Sequence, residues 1–492
     1  MFDQKKLIGL LLSVLVSVSI SEALNADQQS PDEELLSAQG AEFSVEGHMG
    51  VMHPAFDISI RHYAVHCKET MPLTFSVKSR NQKLRFWLDE SRSLQPGTSL
   101  NLVPTSEDQT FELASVGPST GAQFWIHCIP EDFPIFEVQK FGADNSNGLF
   151  LLAARVSRGG EKQATYIINV DQRGVPRKYK KIIGLATNYQ QEHDGSFSFL
   201  QSTQRNEFGF LNFEYVQTDN HFNVIRQQST VGLNHTDLHE SFQTEQGTLF
   251  LMAYNSTIRD MRAFGAQASE RTRDSVIQEI GPKGELLFEW NSWNHLDINQ
   301  CKQHRFPDDY AHLNSVSLAP KNSLILSMRG CSQVLKIDRA SGEVIWRLGA
   351  DDSDFRILDD PLGEFCGQHT AFASERGTIL LYDNGGYCLG DRESQHGRVS
   401  RVVEYALDLS KNTATHLKSF YHPLSQKTYT PSGGSVIETQ RGHLVVSWND
   451  GPEPSFTEFT PSGEPALHMR VVAPGALVSI YRVYKIDALT AP

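Results

Sequence analysis

The sequence contains no block rich in lysine or arginine, and its acidic residues outnumber its basic ones. It has 58 aspartate and glutamate residues against 44 lysine and arginine residues, which gives a formal net charge of −14 at pH 7. A chain with this charge repels the phosphates of nucleic acids and of anionic lipids. The composition therefore argues against nucleic acid or an anionic membrane surface as the main partner.

Long hydrophobic runs are also missing, apart from one near the N-terminus. That run extends from Leu7 to about Ile20 and is short for a bilayer span. Two lysines precede it and Ser21-Glu22-Ala23 follows it, which is the pattern of a secretory signal peptide. We expect residues 1–23 to be a signal peptide and residues 24–41 a polar leader. The mature protein should then be secreted or periplasmic, without stable insertion in a membrane. A retained anchor is the alternative.

Nucleotide-binding motifs are absent. There is no Walker A loop, and no glycine-rich dinucleotide motif follows a predicted strand. No two cysteines have CxxC spacing, which argues against a zinc ribbon. We therefore predict that the protein uses no cofactor.

Short runs of alternating apolar and polar residues predict an all-β protein. From residue 42 to residue 130 these runs predict a small β-sandwich. From residue 131 to residue 492 we count six units of several strands, spaced by roughly 40 to 70 residues. This spacing is typical of four-stranded blades and predicts a six-bladed β-propeller, with an array of generic β-sandwiches as the alternative.

Three histidines hold equivalent positions in successive units. His239, His312 and His369 each begin a strand about eight or nine residues before its turn. The first strand of a propeller blade lines the central channel, so we expect the three imidazoles to meet at one end of it. The returning strand should bring Arg329 beside His312. Asn314, two residues after His312, should project from the same strand face.

The six cysteines point to disulfides, since the chain has the features of an exported protein. Cysteines at the two ends of a hairpin can come within the Cα separation of about 7 Å that a disulfide needs. Cys366 and Cys388 bracket one predicted hairpin, and Cys301 and Cys331 bracket the preceding one. Cys67 and Cys128 remain, one in each flank of the N-terminal domain, and form the third predicted pair.

A cluster of imidazoles with an arginine has three sensible uses. It could hold a metal through the imidazoles or bind an anion through the cations. It could also contain a histidine nucleophile, with electrostatic support for an anionic group in transfer. The fixed charge of Arg329 argues against a divalent cation at close range.

Several short sequence segments around these residues, called phrases below, resemble the arylsulfotransferase (aryl-sulfate sulfotransferase) family. The resemblance covers about residues 125 to 487, is strongest from 237 to 405, and extends to the layout with an N-terminal β domain. The phrases are Asp237-Leu-His239-Glu, His312-Leu-Asn314-Ser-Val, Ser327-Met-Arg329, Gly342-Glu-Val-Ile-Trp346-Arg-Leu-Gly, Gln368-His369-Thr-Ala-Phe and Tyr382-Asp-Asn-Gly.

The resemblance implies a six-bladed propeller that moves a sulfuryl group from an aryl sulfate donor to a phenolic acceptor, without the nucleotide donor PAPS. It implies that His369 is the nucleophile and forms a transient sulfohistidine. It further implies that His239, His312 and Arg329 hold the sulfonate and assist proton transfer, with Asn314 in support.

The family also has a polar residue in its last blade, which corresponds here to Thr430, Ser432 or Ser435. Two other functions compete with sulfuryl transfer. One is a secreted propeller that binds an anionic ligand without turnover, and the other is a metal-dependent hydrolase that uses the three histidines. Asn234 and Asn255 match glycosylation acceptors, which would be used only in a eukaryotic secretory route.

Overall fold

The computed structural model describes residues 40–89, 91–106, 108–116, 122–142, 148–159, 164–205, 210–262, 266–301, 309–386, 388, 396–449, 453–473 and 475–486. The predicted signal peptide, and all but the last two residues of the predicted polar leader, lie outside them. Among the described residues there is no helix of the length and apolar character that a membrane span requires.

The protein is all-β, as predicted, with 55% of residues in strands and 3% in helices. Its internal contacts divide it into two compact units, residues 1–131 and residues 132–492.

The described part of the N-terminal unit contains two sheets. One has the strand order β2-β1-β4-β7, and the other has the order β3-β9-β8-β5-β6 with β3 parallel to β9. Alternate side chains from both sheets, including Phe43, Phe75 and Phe124, fill one apolar core. The strands are β1 (Glu42–Gly47), β2 (Gly50–Val51), β3 (His62–His66), β4 (Leu73–Lys78), β5 (Arg85–Leu88), β6 (Arg92–Leu94), β7 (Ser99–Leu102), β8 (Thr110–Val116) and β9 (Gln123–Ile129).

The described part of the C-terminal unit contains six sheets, here called sheets I to VI. Sheet VI combines β10 (Ile135–Lys140) from the start of the unit with four strands from its end. Sheet I contains β11 (Leu149–Ser157), β12 (Ala164–Asp171) and β13 (Pro176–Ile183). Sheet II contains β14 (Ala186–Gln191), β15 (Phe197–Arg205), β16 (Leu211–Thr218) and β17 (Val224–Gln228). Sheet III contains β18 (Thr236–Gln243), β19 (Leu249–Arg259), β20 (Glu270–Ile280) and β21 (Leu286–Asn291).

The remaining strands complete the second half of the unit. Sheet IV contains β22 (Leu313–Ala319), β23 (Ser323–Met328), β24 (Gln333–Asp338) and β25 (Val344–Leu348). Sheet V contains β26 (Arg356–Leu358), β27 (His369–Ala373), β28 (Ile379–Asp383), β29 (Arg401–Asp408) and β30 (Thr413–Tyr421). Sheet VI ends with β31 (Ser435–Glu438), β32 (Leu444–Ser447), β33 (Phe456–Phe459) and β34 (Pro465–Val472), and sheet I is completed by β35 (Leu477–Ser479) and β36 (Val483–Ile486). Short 3₁₀ turns occur at Ser292–Asn294, Ile298–Gln300 and Arg329–Cys331.

Strands from both ends of this unit share sheets. β10 pairs antiparallel with β34 in sheet VI, and β11 pairs antiparallel with β36 in sheet I. We call β11, β14, β18, β22, β27 and β31 the first strands of sheets I to VI. Each of them contacts the next in this order, and β31 contacts β36 of sheet I. The first strands therefore form a series that returns to its starting sheet.

Apolar clusters fill the spaces between neighbouring sheets. Phe250 of sheet III and Leu326 of sheet IV share one cluster, and Ile325 of sheet IV and Val403 of sheet V share another. Each such buried side chain contributes roughly 1.5 to 3 kcal/mol of transfer free energy. This packing holds the first strands at fixed positions, and these strands carry the candidate site.

All three predicted disulfide pairs are present: Cys67–Cys128, Cys301–Cys331 and Cys366–Cys388. Disulfides persist in oxidising compartments, so the three bonds fit an extracellular or periplasmic protein.

The first strands of sheets II to V share an irregularity. In each of them the pairing with the second strand shifts register, at Thr187/Gln190, Thr236/Ser241, Leu313/Ser315 and His369/Ala371. Asn188, His312 and Thr370, which lie at or beside these shifts, have positive φ angles of 56°, 43° and 44°. Bulges re-aim side chains, and strained non-glycine residues concentrate at functional sites.

Candidate functional site

The structure brings the three histidines together. One ring nitrogen of each lies within 4.8 Å of a ring nitrogen of the other two. The ring centroid of His239 is 5.2 Å from that of His312 and 6.5 Å from that of His369. His239 lies within β18, His312 directly precedes β22, and His369 begins β27. Three successive sheets therefore each supply one imidazole.

A cavity of about 350 Å³ is lined by these imidazoles and by three arginines. This volume lies in the range of small-molecule sites. No carboxylate is among the described residues that line it, although the chain as a whole is acidic. The arginines are Arg155 of β11, Arg329 after β23, and Arg482 just before β36.

His239 and His312 each face a carboxylate on the ring side away from the cluster. Nδ1 of His239 lies 2.6 Å from Oδ2 of Asp237, and Nδ1 of His312 lies 2.6 Å from Oδ2 of Asp309. Burial by itself would raise the pKa of Asp237, but the charge and hydrogen bonds of His239 outweigh it and hold that pKa below its usual value. An ionised carboxylate can only accept, so Nδ1 of His239 donates, and its Nε2 is left for the cavity.

His369 has a neutral partner instead. Its Nδ1 lies 2.6 Å from Oδ1 of Asn384, whose Nδ2 donates to the carbonyl oxygens of Thr430 and Gly433 at 2.9 and 3.0 Å. With the amide nitrogen committed to two carbonyls, Oδ1 must accept the proton of Nδ1. The backbone N–H of Gly433 in turn donates to Nε2 of His369 at 3.3 Å. Nε2 therefore carries a lone pair.

The electrostatic setting of His369 also favours the neutral ring. The side chain is 2% exposed. Burial, followed by the nearby charge of Arg329, holds the pKa of His369 well below its ordinary value. At neutral pH the ring is an uncharged imidazole with one fixed tautomer.

Arg329 lies where the returning strand was predicted to place it. Its backbone N–H donates to the carbonyl oxygen of His312 at 3.1 Å, and its Nη2 donates to the carbonyl oxygen of Pro431 at 3.3 Å. The guanidinium lines the cavity beside the three imidazoles. It is suited to bind two oxygens of an oxyanion.

Asn314 does not contact the cavity, contrary to the prediction. Its side chain is fully buried, and Nδ2 donates to the carbonyl oxygen of Gln368 at 2.8 Å. The register shift between Leu313 and Ser315 breaks the alternation on which the prediction relied. Asn314 joins sheet IV to sheet V directly before His369.

Of the three candidates from the last predicted blade, only Ser432 lines the cavity. The hydroxyl of Thr430 is buried against that of Tyr382 at 2.6 Å, and Ser435 is buried within β31.

Sequence reasoning did not assign roles to Asp237, Asp309, Asn384 or Tyr481. Proximity along the chain could have found the two aspartates, which lie two and three residues before their histidines. Asn384 directly follows β28, the strand that pairs with the strand of His369. Tyr481 packs its ring 5.9 Å from His239 and 6.1 Å from His369, and it carries no local motif.

An ion pair lies at the cavity wall formed by Arg482. Its Nη1 lies 2.7 Å from Oε2 of Glu240. Burial raises the pKa of Glu240 to about 7, and Arg482 opposes that shift. Both residues line a second cavity of about 310 Å³, and Arg482 alone of the pair also lines the first, so Arg482 lies between the two spaces.

The arrangement combines an uncharged imidazole, two imidazoles with carboxylate partners, and a guanidinium. This set can transfer an anionic group, and three imidazoles at this spacing can also ligate a metal. The sequence model described as "Arylsulfotransferase (ASST)" matches residues 205–471, more than half of the chain. The protein belongs to the arylsulfotransferase family. Membership indicates an aryl sulfotransferase acting on aryl sulfates and phenols.

Solved structures show weaker likenesses to this arylsulfotransferase. A Bacteroides caccae protein of unknown function is 11% identical, with 69% of this chain and 99% of that chain covered and a TM-score of 0.42. Hydrazine synthase of Kuenenia stuttgartiensis is 11% identical, with 58% and 70% covered and a TM-score of 0.34. A puromycin hydrolase is 12% identical, with 74% and 50% covered and a TM-score of 0.34. A search of the curated proteins finds no match.

The region shared with other arylsulfotransferases contains the three histidines, their partners and Arg329. Arg155, Asn188 and Tyr481, which complete the cavity, lie outside the matched residues. One wall of the cavity is therefore not covered by the family match.

Proposed function

We propose that the protein transfers a sulfuryl group from an aryl sulfate to a phenol through a covalent intermediate on His369. One observation carries this proposal: Nε2 of His369 bears a lone pair, lines the cavity and lies beside the positive charge of Arg329. A neutral imidazole is a competent nucleophile at neutral pH, and fixed cations offset charge on the sulfonate oxygens.

In the first step, Nε2 of His369 gives up its 3.3 Å hydrogen bond from the N–H of Gly433 and attacks the sulfur of the donor. The N–S bond forms and the S–O bond to the aryl group breaks. The departing oxygen takes a proton from Nε2 of His239 or His312, and a phenol leaves. Asn384 keeps its hydrogen bond to Nδ1, and Arg329 holds the sulfonate oxygens.

In the second step, the hydroxyl of the acceptor phenol returns its proton to the histidine that gave one up. The acceptor oxygen attacks sulfur, the S–O bond forms and the N–S bond breaks. His369 is restored as the neutral imidazole. The carboxylates of Asp237 and Asp309 stabilise the imidazolium form of their histidines between turnovers.

We propose that sheets I to VI are the six blades of a β-propeller, as the strand pattern predicted. The shared sheets of β10 with β34 and of β11 with β36 support this, because a propeller closes by pairing the two ends of its chain in common blades. The catalytic domain would then be residues 131–492, with residues 42–130 as a β-sandwich. The signal peptide is a further proposal, which N-terminal sequencing of the mature protein would test.

A metal-dependent hydrolase is the third candidate function. The Asp237–His239 and Asp309–His312 pairs resemble the outer carboxylates that orient metal-binding histidines. The guanidinium of Arg329 at the same cavity opposes a divalent cation and favours sulfuryl transfer. Anion binding without turnover is the second candidate function, and it would use the same cations.

The deciding experiment is mass spectrometry of purified protein mixed with 4-nitrophenyl sulfate alone. We expect one added sulfuryl group on His369, discharged when a phenol is added, and ping-pong kinetics with both substrates. A His312→Ala variant is the matched control, because it should still accept the group on His369. An unmodified His369 during turnover would overturn the covalent mechanism, and no turnover with any donor would favour the binding protein.

A further inference from the structure

Arg155 is a cation in the cavity that has no partner among the residues the structure describes. It lines the same space as the histidines, and its Nε is buried without a hydrogen bond. Among the described residues its guanidinium makes no ion pair and no hydrogen bond. Arg482, by contrast, is paired with Glu240, and Arg329 donates to Pro431. A buried donor without an acceptor is unfavourable, so this position suits a ligand that supplies one.

A series of contacts links Arg155 to His369. Arg155 pairs with Ser479 across β11 and β35, and the hydroxyl of Ser479 donates to Asn449 at 3.3 Å. Asn449 donates to the carbonyl oxygen of Ser432 at 3.0 Å, and the next residue donates its N–H to Nε2 of His369. Arg155 is therefore on the wall formed by sheets I and VI, several residues from the nucleophile.

Apolar side chains line another part of the cavity. Ala153 lies two residues before Arg155 on β11, and Leu185, Phe213 and Leu238 lie on neighbouring elements. An aromatic ring can pack on these side chains while its reacting group points at His369. A substituent elsewhere on the ring then points at the walls, one of which carries Arg155.

We propose that the substrates of this protein carry a second oxyanion group on the aromatic ring, and that Arg155 binds it. The class is that of acidic phenols, in which a carboxylate or a sulfonate accepts two hydrogen bonds from the planar guanidinium. The proposal rests on the proposed function for the identity of the reacting group. Arg155 lies outside residues 205–471, so the family match does not account for it.

The first test measures binding without turnover. Isothermal titration calorimetry would compare 4-hydroxybenzoate and 4-hydroxybenzenesulfonate with the neutral 4-hydroxybenzamide. We expect the wild-type protein to bind the acidic phenols roughly tenfold or more tightly than the amide. Arg155→Met should abolish that difference and leave the affinity for the amide unchanged. Arg158→Met, three residues along the chain and outside the cavity lining, is the matched control and should keep the preference.

The second test measures turnover of 4-carboxyphenyl sulfate and 4-carbamoylphenyl sulfate. The ratio of their kcat/KM values should fall roughly tenfold in Arg155→Met relative to wild type, with the carbamoyl donor little affected. Equal binding of acid and amide by the wild type would refute the Arg155 proposal, even if both donors are turned over. Binding that depends on Arg155 without turnover of any donor would instead refute the sulfotransferase and leave the anion site standing.

Discussion

His239 and His312 donate Nδ1–H to carboxylates, whereas His369 donates Nδ1–H to the amide of Asn384. The three rings share one cavity and lie in equivalent places on successive sheets. A carboxylate stabilises the protonated imidazole. The amide of Asn384 brings no charge to His369, whose neutral state comes from burial and from the charge of Arg329. In the proposed mechanism the two rings with carboxylate partners are the proton donors, and the buried ring beside Arg329, with an amide partner, is the nucleophile.

The largest expected effect comes from removing the ring with the amide partner. His369→Ala should abolish turnover, because no other described group in the cavity is held as a neutral nitrogen toward the substrate. His312→Ala should slow turnover by roughly 10²- to 10⁴-fold, the usual contribution of a general acid–base group. Steady-state assays with 4-nitrophenyl sulfate and a phenol would measure both. Near-normal rates in His369→Ala would contradict the assignment.

Replacing the amide by a carboxylate should remove the difference between the two kinds of histidine. Asn384→Asp places an anion at Nδ1 of His369 and raises its pKa. The neutral ring is lost as pH falls through its pKa, so the acid limb of kcat/KM should move to higher pH. Activity should recover at alkaline pH. An equal loss at every pH would indicate that Asn384 only supports the fold.

The reverse change, from carboxylate to amide, tests the same comparison at His239 and His312. Asp237→Asn and Asp309→Asn keep the shape but no longer stabilise an imidazolium, and each should reduce kcat by roughly 10- to 100-fold. The loss should be large for donors with weakly acidic phenols and small for 4-nitrophenyl sulfate, whose leaving group needs little protonation. A loss that is uniform across donors would argue against proton transfer by these histidines.

Removal of metal ions by a chelator should have the smallest effect on activity. Prolonged dialysis against EDTA should leave kcat/KM unchanged, because the proposed reaction uses the imidazoles as nucleophile and acids. Elemental analysis of the purified protein provides the control. A stoichiometric transition metal that is lost together with activity would assign the histidines to a metal and favour the hydrolase.

Parts of this site follow from the sequence because they depend on the spacing of strands and turns. The similar distances from each histidine to its turn predicted that the three rings would meet, and the same hairpin geometry paired Cys366 with Cys388. Asn314 was misplaced because a strand alternates faces only while its register is continuous. The register shift between Leu313 and Ser315 ends that continuity, and no residue type in the sequence indicates it.

Other parts could not be predicted because they arise from distant segments. Arg155 lies on β11, and Tyr481 lies in the link between β35 and β36. Both line the cavity because β35 and β36 pair with β11, although they are far from it in the sequence. Neither lies in a phrase that resembles the family. Their placement depends on how the two ends of the unit meet, which local patterns do not encode.

The pairing of β35 and β36 with β11 has a consequence for how the protein is made. A chain is synthesised from its N-terminus, so His239, His312 and His369 all emerge before Tyr481 and Arg482. Until those last strands arrive, one wall of the cavity is missing and the ion pair of Arg482 with Glu240 cannot form. A nascent or prematurely terminated chain thus carries every group proposed for the chemistry and still lacks an enclosed reaction space. The last strands of the chain therefore complete the cavity wall.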